Sequence, residues 1–332
     1  MAELRRDINL PLLMMYGLGT ILGAGIYVLT GVVAAHAGDQ TPLAFFLAAI
    51  VAAPTAYTFG VLSSRYPRSA GPAAYVHAAF ERQWLASITG AFVVLVGIVS
   101  AATIAGGFVG YLQVFISVPD AWVIVLLVCA LTAIALYGIV ESVTAAAVIT
   151  LVEILGLLMV IYGGLSFESP RPVDLLPNAD MISWSGVLAG TFLAFYAFIG
   201  FEDIVTMAEE TRSPEKNVPY AILGALVQII MASRVIYGVA RMHNNPHPLG
   251  RVSQRTRTPV NATVLTGAVI LVLALLLDVE ALASITSIIT LLIFTAVNLA
   301  LCRIQGTPKS AQMLIPWFGM LLCLALLVAS IS

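Results

Sequence analysis

The chain has 332 residues, of which 60% are hydrophobic and only 10% charged, with a net charge of −2 and a mean hydropathy of +1.01. A soluble domain carries roughly 25% charged residues, so a water-soluble globular protein is excluded, and no basic stripe with interleaved aromatics suggests a nucleic-acid partner. Cys129, Cys302 and Cys323 all fall inside apolar stretches and fit neither a disulfide framework nor a zinc site.

Apolar runs of about 18 residues or more, long enough to cross a bilayer, lie near 8–35, 41–63, 84–115, 121–139, 143–164, 184–208, 259–277, 281–302 and 312–331. The expected class is therefore an all-α integral membrane protein, a multi-span helical bundle. The first run follows Arg5 and Arg6, and Ala35-His36-Ala37 looks like a small-residue cleavage site. Its apolar core exceeds the roughly 7–15 residues of a signal peptide, so it is read as a retained span.

Two of these runs carry glycine near their middle. Run 8–35 contains Gly17, Gly19, Gly23 and Gly25; run 184–208 contains Gly200, with Glu202 and Asp203 just after it, beyond Phe201. Each stands first in a block of five. Glycine is a poor helix-interior residue, and in a bilayer an unwound stretch survives only where protein or a water-filled cavity satisfies its backbone. Broken helices at matching places in two halves point to a midplane site for a transported solute.

Basic residues set the orientation. Arg5, Arg6, Arg65, Arg68, Arg82, Arg212, Lys216, Arg241, Arg251, Arg255, Arg257, Arg303 and Lys309 fall on one side of a nine-span arrangement. The opposite loops hold Asp39, Asp120, Glu168, Asp174, Asp180, Asp278 and Glu280, with Arg171 their only basic residue. The expectation is a multi-pass protein of the cell membrane with a cytoplasmic amino terminus. It requires that 219–240, about long enough to span and carrying only Arg234, does not cross. That leaves a surface helix, a re-entrant piece or the scar of a deletion.

Five stretches, in order, resemble one family. Gly17-Leu-Gly-Thr-Ile-Leu-Gly-Ala-Gly-Ile-Tyr27 resembles the first-helix signature of the amino acid–polyamine–organocation (APC) superfamily of permeases, and Phe195-Tyr-Ala-Phe-Ile-Gly-Phe-Glu202 its broken sixth helix. Glu209-Glu-Thr-Arg-Ser-Pro-Glu-Lys-Asn-Val-Pro219 is similar to the following loop, Ala232-Ser-Arg-Val-Ile-Tyr-Gly-Val-Ala-Arg241 to the end of the eighth helix, and Arg255-Thr-Arg-Thr-Pro259 to the approach to the ninth. The resemblance implies a five-plus-five inverted-repeat (LeuT-like) architecture in one transporter domain, 1–332, with a first repeat over about 8–164, a second over about 184–302 and an extra helix over about 312–331. It also implies that the second repeat is incomplete. Between Pro219 and Met231 the chain passes from the loop after the sixth helix almost directly to the end of the eighth, and a last helix is also expected to be absent.

The resemblance further implies a small-molecule substrate, an amino acid or amine. Exposed amides around Gly23, Ala24 and Gly25 would meet its carboxylate. Carbonyls near Ile21, Phe198 and Ile199, beside Gly200, would accept from its ammonium. Helix packing is the competing reading, since Gly19-xxx-Gly23 is itself a small-xxx-small pattern. Most aromatics around the second break are read as packing, with Phe198 as the one placed to face substrate.

Two carboxylates at membrane depth stand out, because such a charge costs roughly 2.5–3.5 kcal/mol on insertion scales. Glu202 is either a cap for freed amides or a proton carrier. Glu153 lies where some relatives carry a lysine; it is either a proton carrier or a partner of Arg234. His36, His77, His243 and His247 show no ligand spacing and are read as solvated, and Pro72 in the Ser64–Pro72 connector has no account from sequence. No cofactor, metal centre or catalytic nucleophile–base pair is expected, so the chain is not read as an enzyme. Beyond substrate, lipid bilayer and proton coupling, no partner or oligomeric state is indicated. The alternative to a secondary active transporter is a truncated, transport-inactive relative acting as a partner subunit or a defective gene product.

Overall fold

A computed structural model describes residues 8–22, 24–137, 139–167, 183–213, 260–306 and 311–330. The stretch 219–240, with Arg234, and the loop positions Asn244 and Ser253 lie outside the described residues, as do Gly23 and Gly138. Every helix-forming run expected in the described part is helical. The first run becomes α1 (Leu10–Leu22) and α2 (Ala24–Ala37). Then follow α3 (Thr41–Arg65), α4 (Pro72–Phe80), α5 (Gln83–Leu112), α6 (Asp120–Tyr137) and α7 (Ile139–Phe167). The second broken run gives α8 (Trp184–Phe195) and α9 (Asp203–Thr206), and the chain continues with α10 (Val260–Leu276), α11 (Val279–Gln305) and α12 (Ile315–Ala329).

Among the described residues, 41–65, 83–112, 184–206, 279–305 and 312–329 are each long and apolar enough to cross a membrane. The perimeter fits a lipid solvent. Phe46, Trp84, Phe115, Trp122, Leu126, Met159, Tyr162, Leu276, Leu321 and Val328 are all exposed, a density of large apolar side chains that a water-soluble surface does not carry. Such a helix satisfies its own backbone, which is why helices are admitted to a bilayer at all. The chain is a multi-pass membrane protein.

Two details differ from the sequence reading. The α6–α7 boundary falls at 137–139 rather than 139–143. The connector after the second span also contains α4, and this gives Pro72 its account. Proline fits the first turn of a helix, where its missing N–H has no intrahelical partner, and Pro72 opens α4 directly after Gly71 at φ +42°. Glycine is favoured there by that φ, and a Cβ would also lie 3.0 Å from Val205 Cγ2, a tight contact. The far end of α4 is closed by Arg303, whose Nε donates to the Ala79 carbonyl at 2.7 Å while its guanidinium lies over the Phe80 ring.

Inside, α1 packs on α7, α2 and α3 on α8, α5 on α4 and α11, α12 on α11 and α3, and α10 on α5 and α6. Buried threonines hide their hydroxyls locally: Thr89, Thr103, Thr191 and Thr286 each donate to the carbonyl four residues back. Asn298 reaches further. Its Nδ2 donates to Thr55 Oγ1 at 2.7 Å and its Oδ1 accepts from Thr58 Oγ1 at 2.7 Å, joining α11 to α3 where apolar surface alone would give lipid-like, non-directional packing.

Candidate functional site

The site is built around the place where α8 stops. After Phe195 the chain tightens into a 3-10 turn at Tyr196–Phe198, and Ile199 is extended (φ −72°, ψ 136°). Gly200 adopts φ +139°, a conformation that L side chains rarely reach. Helix resumes only for Asp203–Thr206. The interruption placed at Gly200 from sequence is thus a change of backbone direction.

That interruption is buried, with Ile199, Phe201, Glu202 and Asp203 all enclosed, so its polar groups need partners. The Gly200 amide donates to Glu202 Oε2 at 2.9 Å, and the Ile199 amide donates to the Tyr196 carbonyl at 3.1 Å. Glu202 is 5% exposed and Asp203 3%. Glu202 Oε1 has no hydrogen-bond partner among the described residues. Two adjacent carboxyl groups are therefore buried beside the break, one of them already committed to a backbone amide.

The first broken run meets the second here. A Cβ on Gly25 would lie 2.9 Å from Ala197 Cα and 3.3 Å from Tyr196 Cδ1, so the start of α2 rests directly on the 3-10 turn. At Gly25 the absent side chain serves close backbone approach. Ile21 falls in the last turn of α1 and Ala24 opens α2, but their side chains, like Gly23, lie outside the described residues.

The aromatics divide. Phe195 and Phe201 belong to a packed ring cluster, at 5.7 Å and 5.2 Å from Phe294, with Phe59 5.6 Å from Phe201. Phe198 is half-buried between fully buried neighbours. Tyr196 combines both roles. Its ring is buried, and its hydroxyl is 2.6 Å from Ser100 Oγ and donates to the Ser100 carbonyl at 3.2 Å, fastening the turn to α5.

Glu153 is half-buried on α7, the helix against which α1 packs. The histidine reading needs a correction for His36. It is exposed but not simply solvated, since its Nε2 stands 3.3 Å from Glu280 Oε1 at the start of α11. Sequence reasoning also missed Tyr196–Ser100 and the Asn298 cluster. Their one available signal was a polar side chain inside an apolar span, and that signal does not name the partner.

Both ends of the broken pair are tied. At one end Ile8 and Thr211 form a parallel bridge, and the Arg212 amide donates to the Ile8 carbonyl at 2.9 Å. The Ser69 amide there donates to Glu209 Oε1 at 3.3 Å. At the other end α2 and α8 close through small residues. A Cβ on Gly190 would lie 2.9 Å from that of Ala37, and one on Gly186 would strike the His36 carbonyl.

Comparison with known proteins accords with this geometry. The amino acid permease family matches the chain in two pieces, residues 9–230 and 223–332, which overlap over 223–230, within the stretch 219–240. A vacuolar cationic amino acid transporter of Arabidopsis thaliana is 28% identical over 93% of this chain and 61% of its own length. A branched-chain amino acid permease of Bacillus subtilis is 27% identical over 76% of this chain and 59% of its own length. An uncharacterized transporter of Mycobacterium bovis is 27% identical over 98% of this chain and 87% of its own length. The chain thus spans about three-fifths of the length of the plant relative. That alignment runs over 390 positions, more than the 332 residues present, so the relative carries residues inside the matched region that have no counterpart here. Broken apolar segments, a buried carboxylate at the break and a family match across both halves lead to one conclusion: this chain belongs to the APC amino acid permeases, a family of transporters and not of enzymes.

Proposed function

We propose that this chain is a secondary active transporter of an amino acid or related amine, with substrate held between segments 8–35 and 184–208. Access alternates as one bundle rocks against the rest. The observation that carries this reading is the break after α8, with a buried carboxylate on the Gly200 amide and the start of α2 pressed against the Tyr196–Phe198 turn. Amides around Gly23, Ala24 and Gly25 take the substrate carboxylate, and carbonyls near Ile21, Phe198, Ile199 and Gly200 take its ammonium. Phe198 lies over the substrate, where a ring face attracts a cation. Glu202 holds the break, and Glu153 carries the coupled proton.

The chain forms one domain. It is an inverted repeat of five helices and five, with the first over about 8–164, the second, incomplete, over about 184–302, and an extra helix over about 312–331. It lies in the cell membrane with a cytoplasmic amino terminus. A second reading, a transport-inactive relative acting as a partner subunit or a defective product, draws on the two-piece family match and on the residues that the longer relatives hold inside the matched region.

Single cysteines at Asn244 and Ser253, in a background with Cys129 replaced by serine, decide between them. An impermeant thiol reagent is expected to label them only after cells are opened, because four arginines flank this stretch. Purified protein in vesicles should then accumulate a radiolabelled amino acid. Labelling in intact cells would mean that the last three helices are inverted, the repeat cannot form, and the inactive reading stands.

A further inference from the structure

The ion pair between His36 and Glu280 joins the last turn of α2 to the first turn of α11, 244 residues apart in sequence. Apart from this link, α2 packs on α8, α3 and α5, whereas α11 packs on α5, α12, α4, α3 and α8. The two side chains are 41% and 54% exposed, so bulk protons reach both.

Among the described residues the charged surroundings are sparse; Glu168, Arg171, Asp174 and Asp180, on the segment before α8, lie outside them. From α11, Asp278 faces the same end, but its carboxylate is engaged as an N-cap, accepting from the Ala281 amide at 2.8 Å. Asp39 lies on the turn after α2. The starts of α3 and α8 bring no titratable side chain, α5 brings the phenol of Tyr111, and Asp120 of α6 accepts from Gln113 Nε2 at 2.7 Å.

We propose that His36 and Glu280 form a proton-operated latch that holds this end of the bundle closed in acid and loosens it as pH rises. Histidine is the side chain that ordinarily changes charge between pH 5 and 8, while a carboxylate stays ionised over that range. A neutral imidazole offers Glu280 one hydrogen bond. A protonated imidazole adds a full opposite charge at the same 3.3 Å, so proton uptake favours the paired arrangement. The latch rests on reading α2 as part of the unit that moves.

The test is a distance measurement that needs no substrate. Spin labels at Ala35→Cys and Ile285→Cys, both exposed positions, in a Cys129→Ser background, report the separation of α2 and α11 by pulsed electron resonance. The short-distance population should rise about two- to fivefold relative to the long one between pH 8 and pH 5.5, the range an exposed ion pair supports. H36Q and E280Q should each abolish that response, and the exchanged pair H36E/E280H should restore it. Should either single variant fail to fold, the exchanged pair still reads the interaction. A wild-type ratio that does not change with pH, or a response that survives in H36Q, overturns the latch. Uptake by the same preparations separates the two ideas. A pH-dependent distance without uptake sinks the carrier reading and leaves the latch; uptake without a pH-dependent distance does the reverse.

Discussion

The two ends of the broken-helix pair are closed by different means. At the His36 end α2 and α8 meet through small residues, Gly186 on the His36 carbonyl and Gly190 on Ala37, with Ala44 of α3 beside Gly190 and one exposed ion pair alongside. At the Ile8 end the ties are polar: the Ile8–Thr211 bridge, the Arg212 amide, and Ser69 on Glu209. Small-residue packing forfeits much of its dispersion energy on separation by even half an ångström. A hydrogen bond is exchanged for one to water at little net cost. The Ile8 end can therefore part group by group, whereas the His36 end parts as a face.

The largest expected effect tests that contrast. Gly190→Leu and Gly186→Leu each drive a side chain into a neighbour that cannot swing away, and for Gly186 the obstacle is a backbone carbonyl. Overpacking of this kind costs about 3 kcal/mol, so both variants should melt far below wild type in detergent. Gly60 is the control. Nothing lies within 4 Å of a Cβ there, so Gly60→Ala should leave melting unchanged or raise it, by up to about 1 kcal/mol of helix propensity. Equal losses at Gly190 and Gly60 would mean that the close fit of α2 on α8 contributes nothing.

Between the two ends lies the break, and Gly200→Ala is next in size. At φ +139° a side chain is strained by about 1–3 kcal/mol. The segment would relieve that strain by turning, which carries the Glu202 carboxylate away from the amide. Melting should fall by several degrees and uptake should be lost. Full uptake in this variant would show that the backbone course at Gly200 is not needed.

Glu202 separates holding the break from carrying a proton. Glu202→Ala leaves the buried Gly200 amide without its acceptor, at about 1–3 kcal/mol. Glu202→Gln keeps an oxygen in place, so its melting should stay within about 1 kcal/mol of wild type. If Glu202 only caps, the Gln variant transports with an unaltered pH profile. If it carries the proton, the Gln variant folds but loses the pH dependence. The same comparison at Glu153 then shows which carboxylate is coupled.

How much of this was legible in the sequence depends on the range over which each signal acts. Span positions follow from apolar length alone, and α3, α5, α11 and α12 lie where those runs place them. The Gly200 break was legible because a glycine followed two residues later by a carboxylate inside an apolar run has few other uses. Pro72 was not, since a nine-residue helix between spans leaves little apolar periodicity, and its opening signal depends on Gly71 docking against Val205. Partner choice was equally hidden. Asn298 has Thr55 and Thr58 as partners, Tyr196 has Ser100, and His36 has Glu280, all more than 90 residues away. Tertiary packing alone brings such pairs together.

The smallest effect sharpens the account of the Ile8 end. Glu209 Oε1 accepts from the buried Ser69 amide at 3.3 Å, a long bond made by a half-buried carboxylate. Because the bond is long, Glu209→Ala should cost about 1 kcal/mol, the low end for a buried amide that loses its acceptor, and lower the melting temperature only slightly. Its consequence belongs to populations rather than stability. Removing one polar tie while the face at the other end is intact should favour opening at the Ile8 end, so a cysteine at Ser69 should react faster with a thiol reagent in the Glu209→Ala background, by up to about fivefold. A matched cysteine at Ala35, beside the His36 end, should react at its original rate. If both sites respond equally, the two ends are not closed independently, and the contrast between a packed face and exchangeable polar ties does not govern which end opens.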